Sequence, residues 1–478
     1  MSEKPFFLPA HGIVAEPKLS FHPDRSADVH THPLHGLLNY GPYSRSLIQS
    51  FSDPIRVCCI FPNGRAAMAN QLFSELEKHH QPRERKAYLI DFPGFSRVFG
   101  IRIVKADNLQ IELPASLNDE VTREKSPHVK LSEKLTQTIA SLDGRRSEFD
   151  VLMIFLPATW EKAFYGPADE DFDLHDYLKA VTAAKGIPLQ VIREDHALKY
   201  NCRCSVMWRL GIALYCKVGG VPWKIAESDP ETAYIGVSYA VRNIGEEHRF
   251  ITCCSQVFDA DGAGLQFLAY ETNDVHFERE NPFLSRGEAR RLLSRSLALY
   301  QQRHAGRKPR KLIIHKSTEF KEEETDGFLD IWCQSEGLQL IQIQQNVIWR
   351  GIAISQNRSD PKRGSPDGYP CNRGSFLPLG GRETLLWTQG NAPAAAAGKN
   401  YFKEGKGIPS PLILKRFVGH GSWEEECENI LALTKMNWNN DSLYDRLPVT
   451  LGYASVLART IKRMPSLSPR PYEFRFFI

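Results

Sequence analysis

Long apolar runs are what this 478-residue sequence most plainly lacks. No stretch of about 18 apolar residues occurs, so no membrane-spanning helix is expected. The opening residues, MSEKPFFLPAHGIV, lack the charged-then-apolar order of a secretory leader, which points to the cytoplasm. An excess of charge of one sign is nearly absent too, with 60 Lys and Arg against 56 Asp and Glu, a formal +4. At 42% hydrophobic and 24% charged residues, the composition excludes disorder, collagen and coiled coil. The ten cysteines include no CxxC pair, so no zinc knuckle can be drawn. Cys58-Cys59 and Cys253-Cys254 sit in apolar runs, where a reduced, buried thiol behaves as a small hydrophobe. Neither GxGxxG nor GxxxxGK[ST] is present, which leaves a doubly wound small-molecule enzyme without its phosphate-binding loop.

What is present is a change of rhythm along the chain. Residues 1–48 are rich in Pro, His and Gly without a sustained period, and read as an irregular extension wrapped on the body. Ile55 to Phe61 then reads as a buried strand, followed by a helix with Ala69, Leu72, Phe73 and Leu76 on its apolar faces. AYLIDF, a helix over Leu131 to Leu142, a strand over Val151 to Pro157, a helix over Asp173 to Lys185 and a strand over Pro188 to Ile192 continue the alternation. Alternating strands and helices predict a parallel, Rossmann-like sheet over residues 49–222.

Residues 223–478 differ. Tyr234 to Val241, Arg249 to Phe258 and Leu265 to Glu271 read as an antiparallel meander. A helix over Gly287 to Gln302, a strand over Lys311 to His315, a helix over Glu323 to Ser335 and the strand QLIQIQ follow. This is the order of an RNase H-like fold. Strands at Thr384 to Thr388 and Leu412 to Val418, and helices at Trp423 to Thr434 and Tyr453 to Lys462, would complete it. Gln356 to Arg373 and Gly390 to Pro411 read as long, mobile loops. Basic clusters at Arg286 to Arg295, Arg303 to Lys316 and Lys403 to Arg416 all fall in this half and are compatible with a phosphate-lined channel.

In the first half, His175 and Lys179 share a helix face, Gln190 lies in the next strand, and Lys217 ends an apolar stretch. Lys is a point charge for phosphate, His can donate to a phosphate oxygen, and Gln can bond phosphate or a base edge. Taken alone, a His and a Lys on one helix face are usually solvated surface. Elsewhere, Asp28, His30, His32 and His35 form a cluster of metal-ligand types, but a surface turn is the more economical reading.

The order His175, Lys179, Gln190, Lys217, followed by KVGGVPW, resembles the guide 5'-phosphate pocket of the MID domain of prokaryotic Argonautes. YIGVS, LIIHKSTEF, RGSFLPLGGRETLLWTQG and LPVTLGYASVLA resemble successive segments of the PIWI domain, in order. The resemblance runs from about Asn39 to the end. It implies a MID domain at 49–222 and a PIWI domain at 223–478, with those four residues holding the guide's 5' end. It also implies that the Ile478 carboxylate joins the pocket through a divalent ion such as Mg²⁺.

Departures from the family pattern shape the functional expectation. Ser238 stands where the family's first catalytic aspartate falls, Ser317 at the second, and Gly452 at the last ligand. A hydroxyl and a missing side chain cannot hold two dications. Lys316, next to the site in sequence, is expected to repel them. Slicing is therefore expected to be lost. With about 48 residues before the first domain, the chain resembles a short prokaryotic Argonaute. Such proteins work beside a partner carrying an APAZ region and an effector, which is sirtuin-like by preference, or TIR, or a nuclease. The implied partners are a 5'-phosphorylated guide RNA and a target single-stranded DNA. The rival expectation is an active nuclease using displaced carboxylates such as Asp259, Asp261, Glu271, Asp274 or Glu319.

Overall fold

A computed structural model of the chain describes residues 11–84, 89–167, 170–244, 247–254, 258–264, 266–272, 274–279, 281–332, 337–357, 359–393, 408–464 and 471–478, with the side chains of 242–254, 353–357 and 360–369 outside the description. Four strands, β1 (Ile55–Phe61), β2 (Ile103–Glu112), β3 (Val151–Leu156) and β4 (Leu189–Arg193), form one parallel sheet in the order β2-β1-β3-β4. The two central strands are apolar, apart from Arg56 near the start of β1, because both of their faces are covered. On one face Val57, Cys59, Met153 and Phe155 pack with helices α1 (Ala66–Glu77) and α4 (Arg203–Lys217). On the other, Cys58, Ile60, Leu152 and Ile154 pack with α2 (Pro127–Ala140) and with Leu174 and Leu178 of α3 (Leu174–Ala184). The switch of partner at every residue is the period of two of a strand.

AYLIDF does not supply a sheet strand. Residues 87–88 lie outside the description, and Phe92 makes only an isolated bridge to His80. The edge position goes to β2, whose sequence IVKADNLQIE hid it: its register against β1 shifts between Lys105 and Gln110, so the buried Ile103, Ala106 and Leu109 recur every third residue and leave no period of two to read.

The second half is built on a ten-stranded sheet. Its strands include β5 (Thr232–Ile244), β6 (Glu247–Cys254), β7 (Leu268–Thr272), β8 (Lys311–Lys316), β9 (Leu338–Gln344), β10 (Ser375–Gly380), β11 (Glu383–Leu386) and β12 (Leu412–Val418). The order is β10-β11-β12-β9-β8-β5-β6-β7, with β5, β8 and β9 parallel and the meander antiparallel. Helices α5 (Arg286–Arg303) and α6 (Glu322–Trp332) cover one face through Leu292, Leu293 and Phe328. On the other face lie α7 (Trp423–Leu433) and α8 (Val449–Ile461).

Two expectations about irregular segments need correction. Gln356 to Arg373 is mostly a hairpin of Ile352–Asn357 against Asp360–Pro370. Backbone pairing in a two-stranded ribbon needs no apolar stripe, so hydropathy gave no sign of it. The other expected loop lies outside the described residues over 394–407. The first 48 residues hold more structure than expected. Gly12–Ile13 pairs with β10, Leu19–Ser20 pairs with Val29–His30 and Lys224–Ile225, and Pro33–Tyr40 is a helix. A buried cluster fastens this segment. Glu16 accepts from Arg373 at 2.9 Å and from Lys435 at 2.6 Å, and the two cations hold its carboxyl below the usual range against the effect of burial.

The histidine cluster acts as local scaffolding. His32 Nδ1 accepts from the backbone of Leu34 and His35 to cap the helix, His30 Nδ1 accepts from His32 N at 2.8 Å, and Asp28 pairs with Arg25. Of the ten cysteines, Cys58, Cys59, Cys202, Cys204, Cys216, Cys371 and Cys427 are free, and all but Cys371 are buried.

Candidate nucleic-acid interface

The four residues expected to hold a phosphate lie on three neighbouring elements: His175 and Lys179 on α3, Gln190 at the amino end of β4, and Lys217 at the end of α4. Asp173 caps α3 by accepting from Asp176 N at 3.0 Å, which sets the helix phase. Lys179 then points into the protein and is buried, while His175, one turn earlier, is about half open (49% of its side chain). Loss of water in its concave surroundings, then the charge of Lys179, lowers the pKa of His175. Lys217 closes α4 and is buried at 1% exposure. Gln190 is half-buried in β4 and donates to the Val191 carbonyl at 3.2 Å.

The chain's last residues reach the two lysines. Lys179 Nζ donates to the Phe477 carbonyl at 3.1 Å, and Lys217 Nζ donates to the main-chain oxygen of Ile478. Ile478 is itself buried. The tail is held by a bridge between Tyr472 and Phe267 and by Phe474, whose ring meets Tyr453 at 4.5 Å and Trp438 at 5.4 Å. The run EFRFFI announced a buried tail. Its receiving surface, spread over Phe267, Trp438 and Tyr453, had no signal in the sequence.

Among the described residues, no side-chain carboxylate lies within ion-pair distance of Lys179 or Lys217. Burial pulls the Lys179 pKa down to about 8, and that of Lys217 well below the ordinary lysine value. Asp176 raises the Lys179 pKa only from beyond ion-pair distance, so desolvation prevails at both buried ammonium groups, and an anion entering there would favour their charged forms. Asp173, His175 and Asp176 offer ligand atoms within 4.8 Å of one another. Asp176, however, is already flanked by Arg459 of α8 at 3.8 Å and by Arg463, just past the end of α8, at 3.7 Å, which opposes a cation there.

Ser238, Ser317 and Gly452 gather at one end of the large sheet. Lys316 is opposite Val237 in the parallel register, so Ser317 and Ser238 are neighbours one residue further on. His315 Nδ1 hydrogen-bonds Thr450 Oγ1 at 2.9 Å, which brings the start of α8 and Gly452 to the same strand ends. Ser317 is exposed, Ser238 and Gly452 are half-buried, and a Cβ at Gly452 would project into open space.

Lys316 does not face this place. Successive strand residues alternate faces, and Lys316 turns to the helix side, where Glu324 receives it at 2.5 and 2.7 Å. Glu324 also accepts from Tyr239 Oη at 3.0 Å and from the backbone of Leu284 and Lys321. The pair is a buried structural contact, and its charge is cancelled. Four of the five candidate carboxylates have partners too. Asp259 sits opposite Ala233 near the start of β5 and pairs with His304 at 3.0 Å, Asp261 pairs with Lys224 at 2.7 Å, and Asp274 accepts from Ser285 at 2.5 Å. Glu319 pairs with Lys321, and Glu271 is exposed on β7. Several basic-cluster residues are likewise engaged on the surface, such as Arg286 and Arg290 with Asp330.

No family profile matches the chain, and no curated protein matches it in sequence. Solved structures match its fold. A structure of Clostridium butyricum Argonaute bound to a guide DNA and a 19-mer target DNA aligns over 95% of this chain and 53% of its own, with a TM-score of 0.62 at 15% identity. Drosophila Piwi aligns over 98% of this chain and 56% of its own (TM-score 0.61, 14% identity). An A. aeolicus Argonaute aligns over 96% and 54% (TM-score 0.57, 17% identity). The fold is therefore Argonaute-like, with the MID-PIWI architecture of mixed α/β sheets. The chain spans about half the length of the structures it matches. No helix among the described residues is long and apolar enough to cross a membrane.

Proposed function

We propose that this chain is a nucleic-acid-guided recognition protein of the short Argonaute kind, which binds a 5'-phosphorylated guide and recognises a complementary strand without cutting it. The observation that carries this reading is the pair of buried lysines, Lys179 and Lys217, with no side-chain carboxylate within ion-pair distance among the described residues. A phosphate monoester brings up to two negative charges and three acceptor oxygens. His175, at the rim, adds a donor, and Gln190 supplies the amide for the first nucleotide. A carboxylate at Ile478 would face the same anion, and Mg²⁺ between them would relieve the repulsion. The guide is RNA and the target single-stranded DNA by the family resemblance.

Ser238, Ser317 and Gly452 carry no carboxylate, so the PIWI sheet would present the paired strands without hydrolysing them. Pairing then reads the sequence while the protein reads the backbone. Coupling to an APAZ-bearing effector, sirtuin-like by preference, would make the protein the sensor of a prokaryotic defence system that depletes NAD⁺ once invading DNA pairs. Co-purified nucleic acid tests the core of the reading. Bound strands should be short and 5'-phosphorylated, and 5'-hydroxyl guides should bind more weakly. Equal affinity for the two would refute it. The partner is tested by co-expression with the neighbouring gene product and an NAD⁺ assay with matched and mismatched DNA. Absence of both association and activation would remove that part alone.

A further inference from the structure

The loop that follows β9 leaves the sheet at the same end as Ser238 and Ser317, because β9 runs parallel to β8 with Gln342 opposite Lys316. It is tied there from two sides. Gln342 Nε2 donates to the Ser317 carbonyl at 3.2 Å, and Arg446, just before α8, donates to the Gln345 carbonyl and to Ser410 Oγ. The loop therefore rims the place where a guide–target duplex would cross the PIWI sheet.

Its tip is unusual for a protein surface. Ile348 is 94% exposed and Trp349 is 49% exposed, side by side. The segment is not slack at its base, since a Cβ at Gly351 would lie 2.8 Å from Trp387 and from Cys371 Sγ. Arg350 folds back to donate to the carbonyls of Val347 at 3.0 Å and Trp349 at 2.7 Å. Desolvation and the nearby charge of Arg350 both lower the pKa of Arg446, and Arg446 Nε is buried without a hydrogen-bond partner. Among the described residues, neither arginine has a carboxylate within ion-pair distance. Two adjacent guanidinium groups without counter-charge, beside an exposed indole, complement a phosphate and the face of a base.

We propose that Trp349 is a base-stacking residue that holds the nucleic acid at the PIWI end of the channel, with Arg350 and Arg446 taking an adjoining phosphate. This rests on the guided-recognition reading and adds a contact to it. An aromatic face stacks on any base, so the contact suits a protein that must accept every guide sequence. Ile348 packs on the sugar edge beside it.

The full-length protein is loaded with 5'-phosphorylated RNA, and affinity for a complementary DNA strand is measured for wild type, Trp349→Ala, Trp349→Phe and Arg350→Ala. Guide loading should be equal in all four. Target affinity should fall about tenfold in Trp349→Ala, the size expected for one lost stack, and recover in Trp349→Phe. A 2-aminopurine placed in turn at each target position should report stacking at one position in wild type and none in Trp349→Ala. If a wild type that loads guide and target is matched by Trp349→Ala in both measurements, the stacking role is overturned and the guided reading stands. If Trp349→Ala loses only its association with a co-expressed protein, the loop is a protein-docking surface and the proposal is likewise wrong. Failure of wild type to load guide overturns the reading and this inference together.

Discussion

Lys217 at the end of α4 donates to the main chain of Ile478, and these two residues are 261 positions apart. The contact joins the first sheet to the last residue of the chain, so the candidate phosphate pocket exists only when both halves are folded. Removing either buried lysine should cost about 1.5–3 kcal/mol of guide affinity, the value of a charge-assisted hydrogen bond. Titration of Lys179→Ala and Lys217→Ala with 5'-phosphorylated and 5'-hydroxyl RNA checks this, with the phosphate preference expected to shrink in both.

The pH dependence has a definite sign. Lys179 has a pKa of about 8, against about 10.4 for an unfolded lysine. Below pH 8 both states hold the proton, and the full cost of burying the ammonium is present. Between about 8 and 10.4 the unfolded chain binds more protons, so this group makes stability rise with pH in that window. Phosphate binding needs the ammonium and runs the other way, weakening as pH rises through about 8. The phosphate's second ionisation, near pH 6, sets the lower edge. Guide affinity measured from pH 5.5 to 9.5 should peak between about 6 and 8, and a 5'-hydroxyl guide should lack the peak.

Target cleavage with Mg²⁺ or Mn²⁺ should be undetectable while target binding persists, because Ser238, Ser317 and Gly452 supply no carboxylate for two dications. A labelled-target assay with guide-loaded protein decides it. Guide-dependent products that vanish on substituting Asp259, Asp261 or Glu271 would establish a displaced active site instead.

Lys316→Met should destabilise the fold by about 3–5 kcal/mol, since Glu324 would remain buried without its cation. Urea denaturation measures the loss. Guide affinity at native conditions should be unchanged, because the pair lies on the helix face of the large sheet.

Glu16→Ala leaves Arg373 and Lys435 buried without their shared anion and should cost a similar 3–5 kcal/mol. Limited proteolysis should then cut within the first 40 or so residues sooner than in wild type.

The alternation of the first half and the meander of the second were written in the sequence, as were the residue types of the candidate phosphate pocket. Periodicity and side-chain chemistry are local properties, so Val151–Leu156 declares a doubly covered strand, and Lys179 declares an interest in anions, whatever surrounds them. β2 stayed hidden because a register shift between Lys105 and Gln110 breaks the alternation by which a strand is read. The hairpin after Ile352 was hidden because backbone pairing carries no hydropathy signal. What only the tertiary structure decided is which distant groups meet. Lys316 reads in sequence as a cation beside a metal site, yet strand alternation turns it to Glu324. Lys179, taken alone with His175 on one helix face, reads as solvated surface, yet the folded chain buries it against the Phe477 carbonyl. Charge balance in a protein interior depends on neighbours in space, and those neighbours are fixed only when sheets pack and chain ends close over them.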